Sequence, residues 1–551
     1  MYILESWNEK ICLNRKVKDT DSKMCTPNKC PYYKKCKISE QQSEQKIYPI
    51  LLITNARLKE SGVNIKQYSS WEHGTRSILL IDERPDILDT VKINKKLLNE
   101  ISTQISRCEY ADTQEKTTLE NMFAEMSNNI AAKMQKLRNK YKRFILSNSN
   151  NEPICKTDDG FMALWQKYMK GNYKRELEHI HTVLTAGGLY VYEKNTEFIS
   201  TIGSRDLKDM YCDTFKTIVF DGTALYDPLY LKMYKNQSIK YLDVENTRLY
   251  SNLNINVYLK HKLTKTAFKD KKYLVYACGK FVNDRMKTGI KRAYVVSYQT
   301  VTTQLNDFIN SKYNVAKLNN ELFYFGNTKG KNHMQNCNTM FQFGWDTLPD
   351  YEYAIQWLSV VVNWDLLLTT KTELSEFEKL SDDLIVKDRS KQMFNNDVFT
   401  SCGYKSYEFG YTSLNEFKLF TILTNFYQEV HRTKLRNYNC TDENIEVNIF
   451  SVKNIILEMI EQLFPKCNLN KITDELDCFK ESKAAARENK AKGYDAFIKW
   501  FDKWDGSAIK VGKIRELCNI SNKQWEYLKK HEIIKGKLDT LKQPNRGYYC
   551  K

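Results

Sequence analysis

The sequence predicts an α/β fold built on parallel β-sheets, and three observations support this prediction. Short apolar runs bounded by polar residues, such as RSILLID at 76–82, are typical of buried parallel strands. Longer segments such as 93–105 carry apolar residues three and four positions apart, as amphipathic helices do. After Pro228 the strand-like and helical segments alternate, which is the pattern of βαβ units.

Size and composition limit the class of protein. A chain of 551 residues allows about three or four domains. Because 42% of the residues are hydrophobic and 13% aromatic, packed cores are expected and wholesale disorder is excluded. No apolar run reaches the roughly 18 residues of a transmembrane helix, so no membrane partner is expected. The first residues lack the apolar core of a signal peptide, which predicts a cytoplasmic location.

The elements expected before Pro228 follow from these patterns. Residues 1–47 are polar and carry four cysteines. Parallel strands are predicted in YPILLITNARL (48–58), RSILLID (76–82) and TIVFDGTAL (217–225). Helices are predicted through 88–150, where Gly and Pro are absent, and through 160–198, with a hairpin at GGLYVYEKN.

The second half of the chain is expected to alternate. Strands are predicted at KKYLVYAC, RAYVVSYQ, ELFYFGN and TMFQFGW, and helices at LNDFINSK, YAIQWLSVVVNWDLLL and EFKLFTILTNFYQEVHRTKL. The charged residues 466–492 predict a linker or an exposed helix, and 493–551 a compact basic unit.

The charge points to a polyanionic partner. The net charge is +18, and residues 482–551, with 17 Lys and Arg against 8 Asp and Glu, contribute +9 of it. Because half of the excess lies in this short tail, nucleic acid is the expected partner, although a solvated Lys-rich surface also explains the bulk of the charge.

Four cysteines cluster near the start in a C-x12-C-x4-C-x5-C pattern, formed by Cys12, Cys25, Cys30 and Cys36. Without a signal peptide, such thiols are expected to be reduced or to bind metal. The uneven spacing favours a [4Fe–4S] cluster over zinc, with no metal as the third possibility. Tyr32 and Tyr33 lie between lysines, a combination suited to stacking and phosphate contact on single-stranded DNA.

An acidic pair ends the strand at 76–82. In nucleotide hydrolases an Asp at this place holds Mg²⁺ and a following Glu orients the attacking water, which are the roles expected for Asp82 and Glu83. Such pairs are also ordinary strand-end residues. Asp221-Gly222-Thr223-Ala224 ends a second apolar run, and FGNTKGKN and YQEVHRTKLR follow further on.

In this order the features resemble superfamily 2 helicases, specifically the iron–sulfur DinG/XPD type, over about residues 10–460. The resemblance implies two RecA-like parallel-sheet domains, the first N-terminally incomplete, with an iron–sulfur insertion and a helical arch insertion. The expected division is a cysteine module at 1–47, the incomplete first domain at 48–87 and 200–230, the arch at 88–199, the second domain at 231–465, the linker at 466–492 and a winged-helix-like domain at 493–551.

The resemblance also implies roles for individual residues. Asp82 would hold Mg²⁺ of an ATP complex, and Glu83 would be the catalytic base. The resemblance implies that ATP hydrolysis is coupled to DNA movement by Asp221, Thr223 and Ala224. It implies contacts with DNA and nucleotide for Gly326, Asn327, Thr328, Lys329 and Gly330. Gln428 and Arg432 would form the family's last motif, with Arg432 or Arg436 as the arginine finger. The alternative for this last segment is an amphipathic helix with a solvated basic face.

Three departures from the family pattern stand out. Arg84-Pro85 replaces the residue expected after Asp-Glu, and the second arginine lies eight residues after Gln428 instead of seven. The phosphate loop G-x4-G-K-[ST] is missing, since no Gly-Lys pair is followed by Ser or Thr. We expect the loop upstream of Met1 or on a second polypeptide, or else a catalytically inactive relative.

The last residues have the order of a winged helix. KIRELCNI predicts a helix, 519–522 a turn, KQWEYLKKHEII a second helix and KGKLDTLKQPNRGYYCK a two-stranded wing. Lys523, Lys529, Lys530 and Arg546 are the candidate DNA contacts, with protein docking as the alternative. Trp500, Trp504 and Trp525 are expected in the core.

The sequence therefore leaves three candidate functions. The first is an ATP-dependent DNA helicase in replication or repair, perhaps of a phage or plasmid-like element; the second is an inactive DNA-binding subunit; the third is a regulatory metal protein.

Overall fold

The computed structural model describes most of the chain. The described residues are 1–5, 12–14, 30–55, 57–58, 62–139, 143–147, 159–169, 172–193, 196–224, 226–230, 233, 237–240, 242, 249–360, 414–437, 443–450, 454–529, 532–545 and 547–551. The chain divides into two compact units. The first unit comprises Met1–Asn246 and Thr347–Thr424, and the second comprises Thr247–Asp346 and Asn425–Lys551.

The strands are short and numerous. They are β1 (Tyr2–Ile3), β2 (Leu51–Leu52), β3 (Ser70–Trp71), β4 (Gly74–Thr75), β5 (Ile78–Asp82), β6 (Lys92–Ile93), β7 (Arg143–Ser147), β8 (Gly187–Glu193), β9 (Thr196–Ser200), β10 (Lys216–Phe220), β11 (Leu253–Tyr258), β12 (Ala293–Ser297), β13 (Phe323–Tyr324), β14 (Thr339–Phe343), β15 (Ile445–Phe450), β16 (Asn468–Ile472), β17 (Ile509–Lys510) and β18 (Tyr548–Tyr549).

The helices range from one and a half to more than seven turns. They are α1 (Lys37–Glu44), α2 (Lys95–Arg107), α3 (Thr113–Arg138), α4 (Asp159–Tyr168), α5 (Asn172–Ala186), α6 (Lys265–Asp270), α7 (Tyr273–Met286), α8 (Gln299–Leu305), α9 (Asp350–Val360), α10 (Leu414–Val430), α11 (Asn454–Leu463), α12 (Asp477–Lys503), α13 (Val511–Leu517), α14 (Asn522–Leu528) and α15 (Glu532–Asp539). None of the helices among the described residues is both long and apolar enough to cross a membrane.

The second unit is built on a six-stranded parallel sheet in the order β13-β12-β14-β15-β11-β16. Every residue of β12 and β14 is buried. Helix α7 and the start of α12 cover one face, where Val295, Phe341 and Phe450 join their core. On the other face Tyr294 contacts α10. The predicted α/β class with a parallel sheet is therefore confirmed.

The first unit contains two separate parallel pairs, β1 with β2 and β5 with β10. Their inward side chains, including Leu4, Ile81 and the partly buried Val219, pack in one core with Tyr353 and Trp357 of α9. The division thus places 347–424 with the first unit, whereas the sequence predicted them within the second domain.

The predicted arch, residues 88–199, is only partly helical. Helices α2 to α5 form where the apolar spacing predicted helices, and β8 and β9 form the predicted hairpin. These two strands also pair with β6 and β7 in a four-stranded antiparallel sheet, order β6-β9-β8-β7. The helices pack on it through one core that includes Leu119, Trp165 and Tyr190.

Two segments differ from their predicted type. Residues 271–278, predicted as a strand, instead lead into α7, because Leu274, Cys278 and Phe281 lie three and four apart and are buried on one helix face. Residues 305–312, predicted as a helix, are mainly turns, since α8 ends at Leu305. There Asn283 of α7 accepts a hydrogen bond from the Asn310 amide at 2.9 Å.

Residues 466–492 do not form a separate linker. Residues Asn468–Ile472 form β16, which pairs in parallel with β11 at the sheet edge, and Asp477–Lys503 form α12. The charge of this segment fits an edge strand, where one side of the ladder and part of each face meet water. The helical alternative stated for these residues is correct for the part that belongs to α12.

The last 60 residues form their own core. Phe497, Trp504 and Trp525 are buried in it, and Trp500 is partly buried, as predicted for the tryptophans. Helix α13 ends in a Schellman arrangement at Asn519, whose φ is +51°, and Ser521 then starts α14 with a capping box.

The predicted second helix and wing differ in detail. The helix is divided into α14 and α15, and α15 extends through Asp539, so residues 535–539 are helical and not a strand. Strand β18 pairs antiparallel with β17, and Lys542 pairs with Cys550 across the turn that contains Pro544. The winged-helix assignment stays a prediction.

Candidate functional site

The acidic pair and the second acidic strand end lie at the same edge in the first unit. Because β5 and β10 are parallel and Asp82 is paired with Phe220, both strands end at this edge. Asp82 and Glu83 are exposed there. Asn55, which follows β2, donates from Nδ2 to the Asp82 carbonyl oxygen at 3.0 Å. The structure therefore brings together the predicted residues Asp82, Glu83 and Asp221, with Asn55 beside them.

The carboxylate of Asp221 is held by three hydrogen bonds. Its Oδ1 accepts from the Thr223 amide at 2.8 Å and the Thr223 hydroxyl at 2.6 Å. Its Oδ2 accepts from the Tyr230 hydroxyl at 2.9 Å. Burial, followed by the charge of Asp221, raises the pKa of Tyr230 well above its usual range, so Tyr230 remains a donor. The loop after β10 is thus fixed around this carboxylate, with Thr223 buried and Ala224 partly buried beside it.

Arg84, the departure from the family pattern, has a structural partner. Its Nε lies 2.5 Å from Asp227 Oδ2, and the Asp227 side chain is buried. Burial would lower the pKa of Arg84, but Asp227, Tyr230 and Asp221 outweigh it and raise the pKa. The ion pair ties the residue after the acidic pair to the loop after β10.

Glu83 adopts a left-handed backbone conformation with φ +66°. Its amide donates to the Phe220 carbonyl at 2.8 Å, which holds this conformation in place. A non-glycine residue in this region is energetically costly, and such positions concentrate at functional sites. The conformation agrees with a functional role for Glu83, although Gln237 and Lys466 also have positive φ.

In the second unit the predicted nucleotide-contact loop and the predicted arginine helix meet at one buried carboxylate. Glu429 of α10 accepts hydrogen bonds from the Tyr294 hydroxyl and the Thr328 hydroxyl, each at 2.5 Å. All three side chains are buried. Burial, together with Glu429, raises the pKa of Tyr294 well above its usual range. The loop after β13 is thereby anchored to α10.

The two arginines have different surroundings. Arg432 Nε lies 3.6 Å from Glu429 Oε1, and the Arg432 side chain is mostly buried. Arg436 is exposed and donates to Asn332 at 3.2 Å. Although they are four residues apart, the two arginines do not share one helix face, because α10 ends at Val430 and Thr433 is extended before a 3₁₀ turn. Gln428 is half-buried on α10.

The loop at 326–330 has two glycines with positive φ, Gly326 at +95° and Gly330 at +70°. Asn327 accepts from the Tyr324 amide at 2.8 Å, and Lys329 is exposed. Asp346 follows β14 at the carboxyl end of the same sheet. Its pKa is raised by burial and by Glu429, and Lys329 opposes this effect.

The cysteine module is described only in part. Asn14 lies between two of the predicted ligands: its carbonyl accepts from Cys12 Sγ at 3.6 Å and its Nδ2 donates to Cys30 Sγ at 3.9 Å. Cys36 precedes α1. Cys25 lies outside the described residues, and in the part that is described no three metal-ligating side chains come together. The described thiols alone therefore do not establish a metal site. Tyr32 is exposed beside them.

The candidate DNA contacts of the C-terminal unit lie on and after α14. Lys523 is exposed. Lys529 is half-buried, and its Nζ lies 2.7 Å from Glu526 Oε1. Lys530 and Arg546 lie outside the described residues.

Several residues of these two sites were missed from the sequence: Asp227, Tyr230, Tyr294, Asp346 and Glu429. Of these residues only Glu429 could have been recognised from the sequence, because it is an acidic residue on the apolar face of an amphipathic helix. In the sequence Asp227 is recognisable only as the residue before Pro228, after which strand-like and helical segments alternate.

Comparisons with known proteins add little. No protein-family model matches the chain, and no curated protein does. Among solved structures the chain is similar to one titled XPD helicase, with 12% identity, over 77% of this chain and 73% of that chain, at a TM-score of 0.36. A structural similarity with this TM-score supports no conclusion about the fold or the function of this chain.

Proposed function

We propose that this chain is the DNA-tracking part of an ATP-dependent helicase or translocase, working in the cytoplasm in DNA replication or repair. Its partners would be ATP with Mg²⁺ and DNA, both as a single strand and at a duplex junction. This chain carries no phosphate loop of the G-x4-G-K-[ST] type, and a second polypeptide would supply it. A phage or plasmid-like element would suit such a divided enzyme.

One observation carries the proposal: Asp82 and Glu83 end β5 beside Asp221, which ends the parallel neighbour β10. Ligands of open α/β sheets bind at the carboxyl ends of the strands. In the proposed complex Asp82 would hold Mg²⁺, and Glu83 would orient and deprotonate the attacking water. The ion pair of Arg84 with Asp227 would couple the two strand ends.

The second unit supports the same proposal. Thr328 and Arg432 both contact Glu429, which connects the loop at 326–330 with the end of α10. Arg436, which is exposed, is the better candidate for the arginine finger, because Arg432 is occupied by a buried carboxylate. In the C-terminal unit, the exposed Lys523 at the start of α14 would contact DNA phosphate.

A [4Fe–4S] cluster on Cys12, Cys25, Cys30 and Cys36 is part of the proposal, with zinc as the alternative. Cys12 and Cys30 both contact Asn14, which supports proximity of these two ligands. Visible absorption with iron and sulfide analysis distinguishes the two metals, and serine at Cys25, Cys30 and Cys36 should abolish either.

The test of the proposal is DNA-stimulated ATP hydrolysis by this chain together with its phosphate-loop segment. Glu83→Gln should abolish hydrolysis and leave DNA affinity intact, because it removes a base and no phosphate contact. Absence of hydrolysis in the complete assembly would exclude the motor.

A second candidate is a catalytically inactive DNA-binding subunit, which the missing phosphate loop favours. It predicts salt-sensitive DNA affinity that survives Glu83→Gln and is lost on deletion of 493–551. Affinity that is undiminished by the deletion would contradict this tail as the anchor.

A further inference from the structure

Two aromatic side chains lie side by side on the surface of the second unit. Tyr276 of α7 is 50% exposed, and Phe308, in the turns that follow α8, is 42% exposed. Their ring centroids lie 5.5 Å apart, and the ring planes are nearly perpendicular, at 88°. We call these two residues the aromatic pair. Among residues 253–346, all of which the structure describes, they are the large hydrophobic side chains that remain exposed.

Asn283 of α7 fixes the turns that carry Phe308. Its Nδ2 donates to the Phe308 carbonyl oxygen at 2.8 Å, and its Oδ1 accepts from the Asn310 amide at 2.9 Å. Gly279 of α7 allows the close approach of these turns, because a Cβ at this position would lie 2.6 Å from the Phe308 Cβ. The aromatic pair is therefore positioned before any ligand binds, which lowers the entropic cost of binding.

Lysines flank the aromatic pair along α7. Lys272 lies four residues before Tyr276 and Lys280 four residues after it, so the three side chains share one face of the helix. Lys272 is exposed and ends the basic run KDKK at 269–272. Lys280 forms an ion pair with Glu481 of α12, which offsets its charge. The positive charge that a ligand would meet is therefore concentrated at the Lys272 end of the pair.

Exposed rings beside lysines are the combination that binds a single nucleic acid strand. Each base has an apolar face that stacks on an aromatic ring, and each phosphate is attracted by a lysine. A protein partner would require a wider apolar centre, because the residues that dominate protein interfaces cluster in a desolvated core. In residues 253–346 the exposed large hydrophobic side chains are limited to the aromatic pair. The net charge of +18 also favours a polyanion.

We propose that the aromatic pair is a stacking platform for single-stranded DNA and that Lys272 contacts an adjacent phosphate. The platform lies on the sheet face that α7 covers, whereas the loop at 326–330 is anchored to α10 on the other face. It is therefore a second DNA site, separate from that loop. The choice of DNA over RNA rests on the proposed function, while the arrangement of rings and lysines does not.

The direct test is photochemical cross-linking of the whole chain to an oligothymidylate in which 5-iodouracil replaces some of the bases. On irradiation this base forms covalent bonds with aromatic rings on which it is stacked. Mass spectrometry of the digested complex should find the cross-link at Tyr276 or Phe308. Cross-links that are confined to other residues would contradict the platform.

Fluorescence anisotropy of a labelled oligothymidylate measures the affinity. Tyr276→Ala combined with Phe308→Ala should weaken binding roughly five- to hundredfold, the loss expected for one stacked base. Tyr276→Phe combined with Phe308→Tyr keeps both rings and should retain the affinity. Tyr276→Leu combined with Phe308→Leu keeps apolar surface without rings and should lose it. If the ring-keeping and leucine variants bind equally, the surface is not a stacking site and the proposal is wrong.

Two single variants separate charge from general effects on the surface. Lys272→Gln should weaken binding and reduce the slope of log affinity against log salt concentration by roughly one, because one phosphate contact is lost. An unchanged slope would contradict that contact. Leu249→Ala changes another exposed side chain of the second unit, 52% exposed, and should leave the affinity unchanged. An equal loss in Leu249→Ala would contradict a specific site. Thermal unfolding that matches the unaltered chain confirms that the variants fold.

The remaining comparisons separate the platform from the proposed function. An oligouridylate that binds more tightly than the oligothymidylate of the same length would overturn the assignment to DNA. Cross-linking and affinity are measured without ATP. A platform that binds DNA in a complete assembly that never hydrolyses ATP contradicts the proposed function alone. DNA-stimulated hydrolysis by an assembly whose DNA affinity is unchanged by loss of the aromatic pair contradicts the platform alone.

Discussion

The chain contains parallel strands in two regions, and the two regions differ in how completely they are covered. In the second unit every residue of β12 and β14 is buried. In the first unit β5 and β10 alternate between core and solvent, although their sequences ILLID and KTIVF are just as apolar. The comparison shows that an apolar run identifies a strand that can be buried on both faces. Whether both faces are buried depends on the elements that pack against it.

The largest expected difference comes from one phenylalanine in each region. Phe341→Ala removes a wholly buried ring from the second sheet and should lower the free energy of unfolding by about 3–5 kcal/mol. Phe220→Ala removes a ring that is already in water, so its effect should stay within about 0.5 kcal/mol. Urea unfolding of both variants measures the difference.

A substantial loss of stability in Phe220→Ala would show that the exposed apolar face of β5 and β10 is covered in solution, either by another part of the chain or by a second copy. Repeating the measurement over a range of protein concentrations separates these two cases, since only a dimer has concentration-dependent stability.

The next prediction concerns the buried polar group of the second unit. Glu429→Gln leaves the hydroxyls of Tyr294 and Thr328 competing for one acceptor and removes the charge beside Arg432. We expect a loss of about 1–3 kcal/mol, the cost of leaving a buried polar group unsatisfied. Gln428→Ala, one residue earlier and only half-buried, is the matched control and should change stability by less than about 0.5 kcal/mol.

If the two variants lose equal stability, the effect comes from α10 as a helix and not from the carboxylate. Thr328→Val then provides an independent check, because it removes one donor to Glu429 and keeps the shape of the side chain.

The sequence predicted the fold class and most elements, because these depend on local periodicity. Helices α2 and α3 and the hairpin of β8 and β9 are examples, and so is the turn at Asn519. The failures have physical causes too. Residues 271–278 were assigned a strand because a short apolar run fits either period until the next turn of helix is counted.

Residues of the candidate sites were predictable from the sequence only where they lie at or just after the end of a predicted strand. Asp82, Asp221 and Thr328 were singled out because each lies at or after the end of a predicted strand. The partners Asp227 and Glu429 were not, because a contact across a loop or between a helix and a sheet leaves no trace in sequence spacing. The exposure of Leu80 and Phe220 depends on what packs above β5 and β10, and the sequence of one strand does not contain this information.

Acidification should act in opposite directions in the two regions. Burial alone would raise the pKa of Asp89 in the first unit, but hydrogen bonds from His179 and Arg175 lower it well below its usual range. Its stabilising effect is therefore present above the ordinary carboxyl pKa and is lost as pH falls below it. Arg205 also faces this carboxylate.

Asp346 in the second unit has the opposite sign. Its raised pKa means that the folded state prefers the protonated form, so its contribution to stability is complete below the ordinary carboxyl pKa and is lost as pH rises through the raised one. Unfolding free energies of Asp89→Asn and Asp346→Asn, measured from neutral to acidic pH against the unaltered chain, should diverge in opposite directions. Parallel curves would contradict the assignment of either group.

The smallest effect concerns how strands end in the two regions. Strand β14 is followed by Gly344 with φ +102°, whereas β5 is followed by Glu83 with φ +66°. A left-handed conformation costs a non-glycine residue about 1–2 kcal/mol, and glycine loses up to about 1 kcal/mol of this gain through the greater freedom of its unfolded chain. Glu83→Gly should therefore stabilise the chain by about 0–1 kcal/mol, while Glu83→Ala should not.

The reverse change at the second strand end is the control. Gly344→Ala introduces a Cβ that would lie 2.6 Å from the Tyr298 ring, so it should destabilise the chain clearly. If Glu83→Gly gains stability and abolishes ATP hydrolysis by the complete assembly, the left-handed backbone is retained for the carboxylate that it positions. If Glu83→Gly loses stability, hydrogen bonding or packing of the Glu83 side chain fixes this strand end, and backbone strain is no longer a sign of function there.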